Sequence, residues 1–160
     1  MSVGTASRSG SADLVIVTFR VMLGLLFLSQ WGANLHAGRY DPGEYAEVIR
    51  GYVADGDAPG FWKELMEHVA DGASITARLQ LAAELAFGVL LVLGLATRLA
   101  GAAAGVYLSA LWVSEIGVPS EWVWSIVFPA LAAFAVALCA AGRTLGLDGV
   151  LGERLPRWAG

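Results

Sequence analysis

The chain has 160 residues, of which 57% are apolar and only 15% are charged, with a formal net charge of −4 and a mean hydropathy of +0.64. A soluble domain carries nearer a quarter charged residues, so the composition excludes an ordinary soluble protein and indicates an integral membrane protein. The ten basic residues are scattered and form no patch that could follow a phosphate backbone, so no nucleic-acid partner is predicted.

A Ser/Gly-rich start, residues 1–12, is predicted to be a flexible tail. It is followed by four apolar segments of about twenty residues without period-two alternation, which satisfy their backbone groups in hydrocarbon only as helices. The sequence therefore predicts an all-α fold, an integral membrane four-helix bundle forming a single membrane domain over residues 1–160. The predicted spans are Leu14 to Leu35, Ile75 to Ala96, Leu99 to Ile116 and Trp122 to Ala141.

The first span could also be interpreted as a signal peptide. Its apolar run is longer than the apolar region of a typical signal peptide, and no small-residue cleavage site ends it before Gln30 and Trp31. The membrane-span interpretation is therefore favoured.

The arginines indicate the orientation. With the amino terminus inside, the inner segments hold Arg8, Arg98, Arg143, Arg154 and Arg157, whereas the turn from Val118 to Glu121 holds no basic residue. The positive-inside rule then predicts a multi-pass protein of the cell membrane with both termini in the cytoplasm.

The loop between the first two spans contains an internal repeat, in which each copy opens with Pro-Gly and closes with Ala-Asp-Gly. The copies run from Asp41 to Gly56 and from Ala58 to Gly72, and apolar residues recur in each at helical spacing. Two short amphipathic helices are predicted in this first extracytoplasmic loop. They could cover the mouth of the bundle at the outer interface, or act as a lid that admits a lipid-like substrate.

Arg20 in the first predicted span and Glu84 in the second are charged residues that lie away from the ends of their spans. A charge at depth in hydrocarbon costs several kcal/mol unless it finds a partner or a water-filled cavity. Gly24 and Gly88 follow them by one turn and permit close helix approach, so an Arg20–Glu84 ion pair is predicted, with Gln80 extending the polar stripe.

This stripe has two interpretations. The pair could simply fix helix register. Alternatively, it could be catalytic, with Glu84 as the proton-accepting group and Arg20 as the anion-stabilising one, acting on a polar head such as a quinone carbonyl or an oxyanion. His36, Glu115 and Glu121 at the outer ends of spans could join such a site.

Residues for metal or thiol chemistry are few. Cys139 is the only cysteine, which excludes an internal dithiol, and His36 and His68 are isolated from each other in the sequence. No metal site and no haem or flavin motif is predicted.

Three segments resemble the DoxX/DoxD family of small four-helix membrane proteins. They are Phe19 to Phe27, Glu84 to Arg98 and Ala141 to Leu151, and the resemblance extends over most of the chain, from about Leu14 to Leu151. The glutamate followed by the Gly-Leu-Ala-Thr-Arg run of residues 94–98 is the most specific part. The family includes the small subunit of thiosulfate:quinone oxidoreductase, so the resemblance implies a redox-associated membrane subunit.

The resulting hypothesis is a membrane subunit of a quinone-linked oxidoreductase, or of a respiratory or sulfur-redox complex. Quinone would be its cofactor, held between the first two spans by Gln80 and by the outer aromatic residues Trp31 and Trp122. Electrons would come from a partner redox subunit or directly from a substrate, because no redox-cofactor motif is present. The chain is also predicted to contact membrane lipid. It could associate with further copies of itself instead of with a partner redox subunit.

Two other functions stay open. The chain could be a non-catalytic membrane anchor or assembly subunit, or a small carrier for a lipid or weak acid. The resemblance also has one departure: Glu121-Trp122 matches an acidic-aromatic pair of the DoxD branch, but the cysteine sometimes found near that pair is absent. Whether this chain is itself an enzyme is left open by the sequence.

Overall fold

A computed structural model of the chain describes residues 6–151. Within this range all regular secondary structure is helical and there is no β-strand, which confirms the predicted all-α class. The helices are α1 (Ala6–His36), α2 (Pro42–Asp55), α3 (Gly60–Asp71), α4 (Ala73–Leu93), α5 (Thr97–Glu115), α6 (Trp124–Leu138) and α7 (Leu147–Leu151).

The four longer apolar helices contact one another around a common core. Helix α1 packs against α4 and α6, and α5 packs against the same two helices. The centre of this core is formed by Leu23, Phe27, Leu91, Leu108 and Val136 together with a set of buried alanines. Interhelical packing between spans depends on such small residues, since they let backbones approach closely.

Helices α1 and α4 approach most closely at two glycines. A side chain at Gly24 would clash with the backbone and side chain of Val92, and one at Gly88 would clash with Leu28. The predicted close approach of these two helices at Gly24 and Gly88 is therefore present, although it does not serve the pairing that the sequence suggested.

Two helices in the described part of the chain are long and apolar enough to cross a membrane, Gly10–His36 and Ala73–Leu93. Most of their apolar windows face outward, since only 28% and 22% of the respective residues are buried inside the protein. Helix α6 is apolar but shorter. The spans predicted at 99–116 and 122–141 stay predictions.

Helix α1 begins at Ala6, so residues 6–12 of the predicted tail belong to the helix. The first five residues of that tail lie outside the described part of the chain, as do residues 152–160.

Helices α2 and α3 lie at the positions that the sequence repeat indicates. Asp41 caps α2 by accepting a hydrogen bond from the backbone N–H of Gly43 at 3.0 Å, and Pro42 stands at the first helical position. Arg50 of α2 donates to Asp71 of α3 at 2.8 Å. Both helices also contact α4 and α5, so they cover the end of the bundle where α1 ends and α4 begins.

Candidate functional site

Glu84 lies inside the bundle with a side chain only 2% exposed. Its carboxyl accepts four hydrogen bonds. Tyr40 Oη and Asn34 Nδ2 donate to Oε2 at 2.5 and 3.3 Å, and Tyr107 Oη and Gln80 Nε2 donate to Oε1 at 2.6 and 2.9 Å. A carboxylate only accepts hydrogen bonds, so these four donors match its ionised form.

Within the described part of the chain, the Glu84 carboxyl has no basic partner. The salt bridges of residues 6–151 join Arg50 to Glu67 and to Asp71, and none reaches Glu84. An isolated ion in a low-dielectric interior is costly, and here neutral hydroxyl and amide donors offset that cost instead of a cation.

The local fold explains how the donors converge. Gln80 precedes Glu84 by one turn of α4, and Asn34 lies in the last turn of α1. The chain then reverses through Gly38, whose φ of 70° suits glycine, with the N–H of Arg39 donating to the carbonyl of Asn34 at 2.9 Å. This turn brings Tyr40 back onto the carboxyl.

The tyrosines outside the spans retain their protons. Burial, together with the adjacent Glu84 carboxyl, raises the pKa of Tyr40 above its ordinary value, and burial likewise raises the pKa of Tyr45. Tyr45 Oη donates to Gln80 Oε1 at 3.1 Å and so extends the network by one further group. The phenols are therefore donors toward the carboxyl and the amide.

A cavity of about 710 Å³ opens beside Glu84, bounded by α1, α4, α5 and α6 and covered by α2 and α3. Its volume lies within the range typical of small-molecule sites. Its aromatic walls are Tyr40, Tyr45, Tyr52, Trp62 and Tyr107. The lining includes three carboxyl groups, those of Glu84, Glu115 and Glu121, and one guanidinium, that of Arg39.

Two of the five predicted site residues line this cavity, Gln80 and Glu84. Arg20, Trp31 and Trp122 are not part of its lining. Trp31 is half-buried, and its indole Nε1 has no hydrogen-bond partner within residues 6–151. Trp122 is 68% exposed at the surface. The ring-binding role of the two indoles stays a prediction.

The predicted Arg20–Glu84 ion pair was wrong. The Arg20 guanidinium is 2% exposed and donates to the carbonyl oxygens of Ala141 and Leu145 at 3.1 and 3.0 Å. These carbonyls lie after α6, at the other end of the bundle from Asn34, because fourteen helical residues separate Arg20 from Asn34, or about 21 Å. These loop carbonyls need donors, which the Arg20 guanidinium supplies.

Asp148 completes this second polar cluster. Its carboxylate lies near the Arg20 charge and accepts hydrogen bonds from the backbone N–H groups of Ala96 and Thr97 at 2.6 and 2.9 Å. It thereby caps the start of α5, where carboxylates are favoured by the unsatisfied N–H groups. A side chain at Gly94 would meet the Arg20 guanidinium, and one at Gly142 would meet Asp148. The Arg20–Asp148 cluster thus connects α1, the segment after α6 and the start of α5.

Sequence reasoning missed most of the residues around Glu84. The predicted site does not include Asn34, Tyr40, Tyr45 or Tyr107. One signal was available: Tyr107 places a hydroxyl near the middle of a predicted span, where a polar group needs a partner. Tyr40 had no such signal, because it lies in a turn.

Neither the curated proteins nor the solved structures give a significant match to this chain. One protein family matches, described as "TQO small subunit DoxD", and the match covers residues 15–159, which is nearly the whole chain. This agrees with the DoxX/DoxD resemblance. The chain therefore belongs to the DoxD family, the small subunits of thiosulfate:quinone oxidoreductase.

Proposed function

We propose that the chain is the multi-pass, four-helix membrane subunit of a quinone-linked oxidoreductase, and that its cavity binds the quinone head group against Glu84. Family membership implies the coarser statement, a membrane subunit of a quinone oxidoreductase. The placement of the head group and the role of Glu84 are the proposal.

The observation that carries it is the environment of the Glu84 carboxyl. A carboxyl that is buried among neutral donors, without a cation beside it in the described residues, is costly to keep in a protein interior. If Glu84 served only to fix the register of the helices, we would expect it to have an ionic partner. Its position on the wall of a large cavity instead suits a group that exchanges a proton with a bound molecule.

The cavity fits a quinone head in size and in chemistry. Aromatic side chains flank the space, and Tyr40 and Tyr107 supply hydroxyl groups that can turn from Glu84 to a ring oxygen. When bound, a quinone would supply two-electron chemistry. The residues of this chain would orient the ring, exclude water and hold a proton at Glu84 Oε1 or Oε2.

The electrons would come from a partner subunit or from its substrate. In this proposal both termini are cytoplasmic, α2 and α3 lie on the outer side, and the apolar outer faces of α1 and α4 contact membrane lipid. The cavity would then be reached from the outer half of the membrane.

The test uses the protein purified with its native partners. We expect the wild type to bind a soluble quinone analogue, and E84Q to bind it about tenfold more weakly or worse, because a charge-assisted interaction of about 1.5 to 3 kcal/mol is lost. Quinone reduction should fall in parallel. Glu47→Gln, an exposed position on α2, is the matched control and should behave as the wild type.

If the wild type does not bind the analogue, or E84Q binds and turns over normally, the proposal fails and an anchor or assembly subunit is the better description. Uptake of a lipid or weak acid into proteoliposomes, abolished in E84Q without any loss of electron transfer, would point to the carrier instead.

A further inference from the structure

Glu115, the last residue of α5, is a second buried carboxyl on the cavity wall. It is 7% exposed and lies among the cavity-lining residues. Its Oε2 atom is buried and has no hydrogen-bond partner within the described residues 6–151. Neither of the salt bridges found in that range involves it.

Three hydrogen-bond donors on the same cavity wall are engaged with other acceptors. The Ser114 hydroxyl donates to the carbonyl of Ala110 at 3.2 Å, and the Trp62 indole donates to Ser114 Oγ at 2.9 Å. The Tyr52 hydroxyl donates to Glu121 Oε1 at 3.2 Å. Glu115 therefore differs from Glu84, which has four protein donors.

An unsatisfied buried carboxyl lowers the stability of a fold, because it has lost water without gaining a partner. A group with this environment on a cavity wall is complementary to a ligand that brings its own donor. An ionised carboxylate only accepts hydrogen bonds, so the ligand face toward an ionised Glu115 must carry an O–H or N–H group, and a carbonyl oxygen would not match it.

We propose that Glu115 is a ligand-binding carboxyl that accepts a hydrogen bond from a ring hydroxyl, so that the cavity binds the reduced, quinol form of its ligand more tightly than the oxidised form. This inference rests on the proposed function and adds to it a preference for one oxidation state. A neutral quinol fits the aromatic walls of the cavity.

The test compares the binding of one soluble quinone analogue and its quinol, measured without oxygen, in the purified complex. We expect the wild type to bind the quinol about tenfold more tightly, as a charge-assisted hydrogen bond predicts. In Glu115→Met the quinol should bind about tenfold more weakly, while quinone binding should change less than about threefold. Glu64→Met, at an exposed position on α3, should leave both affinities unchanged.

Thermal unfolding without ligand provides the second measurement. Replacing an unsatisfied buried carboxyl by an apolar side chain of similar length should raise the midpoint by about 2 to 4 °C, whereas loss of a structural contact would lower it. A lowered midpoint, or unchanged quinol binding in Glu115→Met, overturns the inference. If the wild type binds both forms equally, this inference alone fails, and if it binds neither, the proposed function fails with it.

Discussion

Tyr40 and Glu84 lie 44 residues apart in the sequence, and the Tyr40 hydroxyl donates a 2.5 Å hydrogen bond to Glu84 Oε2. The bond joins the turn after α1 to the middle of the bundle. The same turn leads into α2, the first of the two helices that cover the cavity. The hydrogen bond therefore connects this covering part of the chain directly to Glu84, on which the proposed chemistry depends.

Tyr40→Phe removes this donor without changing the ring. We expect the free energy of unfolding to fall by about 1 to 3 kcal/mol, because the buried carboxyl keeps one donor fewer. Denaturant unfolding in detergent measures the loss. Tyr45→Phe is the matched control, since its hydroxyl contacts Gln80 and not Glu84, and it should cost less. Equal losses for the two variants would contradict the assignment.

Arg20→Met should destabilise the bundle while leaving the cavity intact. The side chain holds the carbonyls of Ala141 and Leu145, and removal of one partner of a buried polar cluster costs about 3 to 5 kcal/mol. Unfolding measurements should show this loss, with the exposed Arg78→Met unchanged. Folded R20M should bind the quinone analogue as the wild type does. A selective loss of binding would instead give Arg20 a role at the cavity.

Alanine substitutions at Gly94 and Gly32 should change the stability of the protein in opposite directions. Gly94 ends α4 with a φ of 66° and lies against the Arg20 guanidinium, so Gly94→Ala should destabilise the protein by more than about 1 kcal/mol. Gly32 lies within α1, and a Cβ added there would meet no neighbouring atom within 4 Å. Gly32→Ala should therefore stabilise the protein by about 0.5 to 1 kcal/mol. Stability measured for both variants under the same conditions checks the signs.

Tyr52 gives a prediction about alkaline pH. Burial, followed by the charges of Glu121 and Glu115, raises the pKa of Tyr52 to about 12 from its ordinary value of 10.0. Between these two values the unfolded chain loses the phenolic proton before the folded one does, so stability should fall as the pH rises from 10 to 12. Unfolding free energies across this range should show a smaller decline in Tyr52→Phe than in the wild type. Equal declines would place the phenol in contact with water.

The all-α fold class and the burial of Glu84 could be predicted from the sequence, because they depend on local properties. Apolar length predicts helices, and a carboxyl within an apolar run must be buried with partners. Gln80 could also be placed correctly, since one turn of helix fixes its position relative to Glu84 whatever the rest of the chain does.

The partner of Arg20 could not be predicted in the same way. Depth along a helix says how far a residue lies from the membrane surface, but not toward which end a long side chain extends. Arg20 reaches loop carbonyls after α6 that have no periodic pattern and no signal before the fold is known. Tyr40 likewise reaches Glu84 only because a left-handed residue at Gly38 reverses the chain.

The covering helices differ from the bundle in how they are held. The buried apolar cluster between them and the start of α4 consists of three alanines, Ala46, Ala70 and Ala73, with Tyr45 and Ile49 packed against it. The interior of the bundle also holds leucine, phenylalanine and valine. Regions with few buried apolar contacts open at a lower free energy than the rest of a protein. We therefore expect helices α2 and α3 to open at a lower free energy than the core formed by α1, α4, α5 and α6, a difference that hydrogen exchange of their backbone amides would measure.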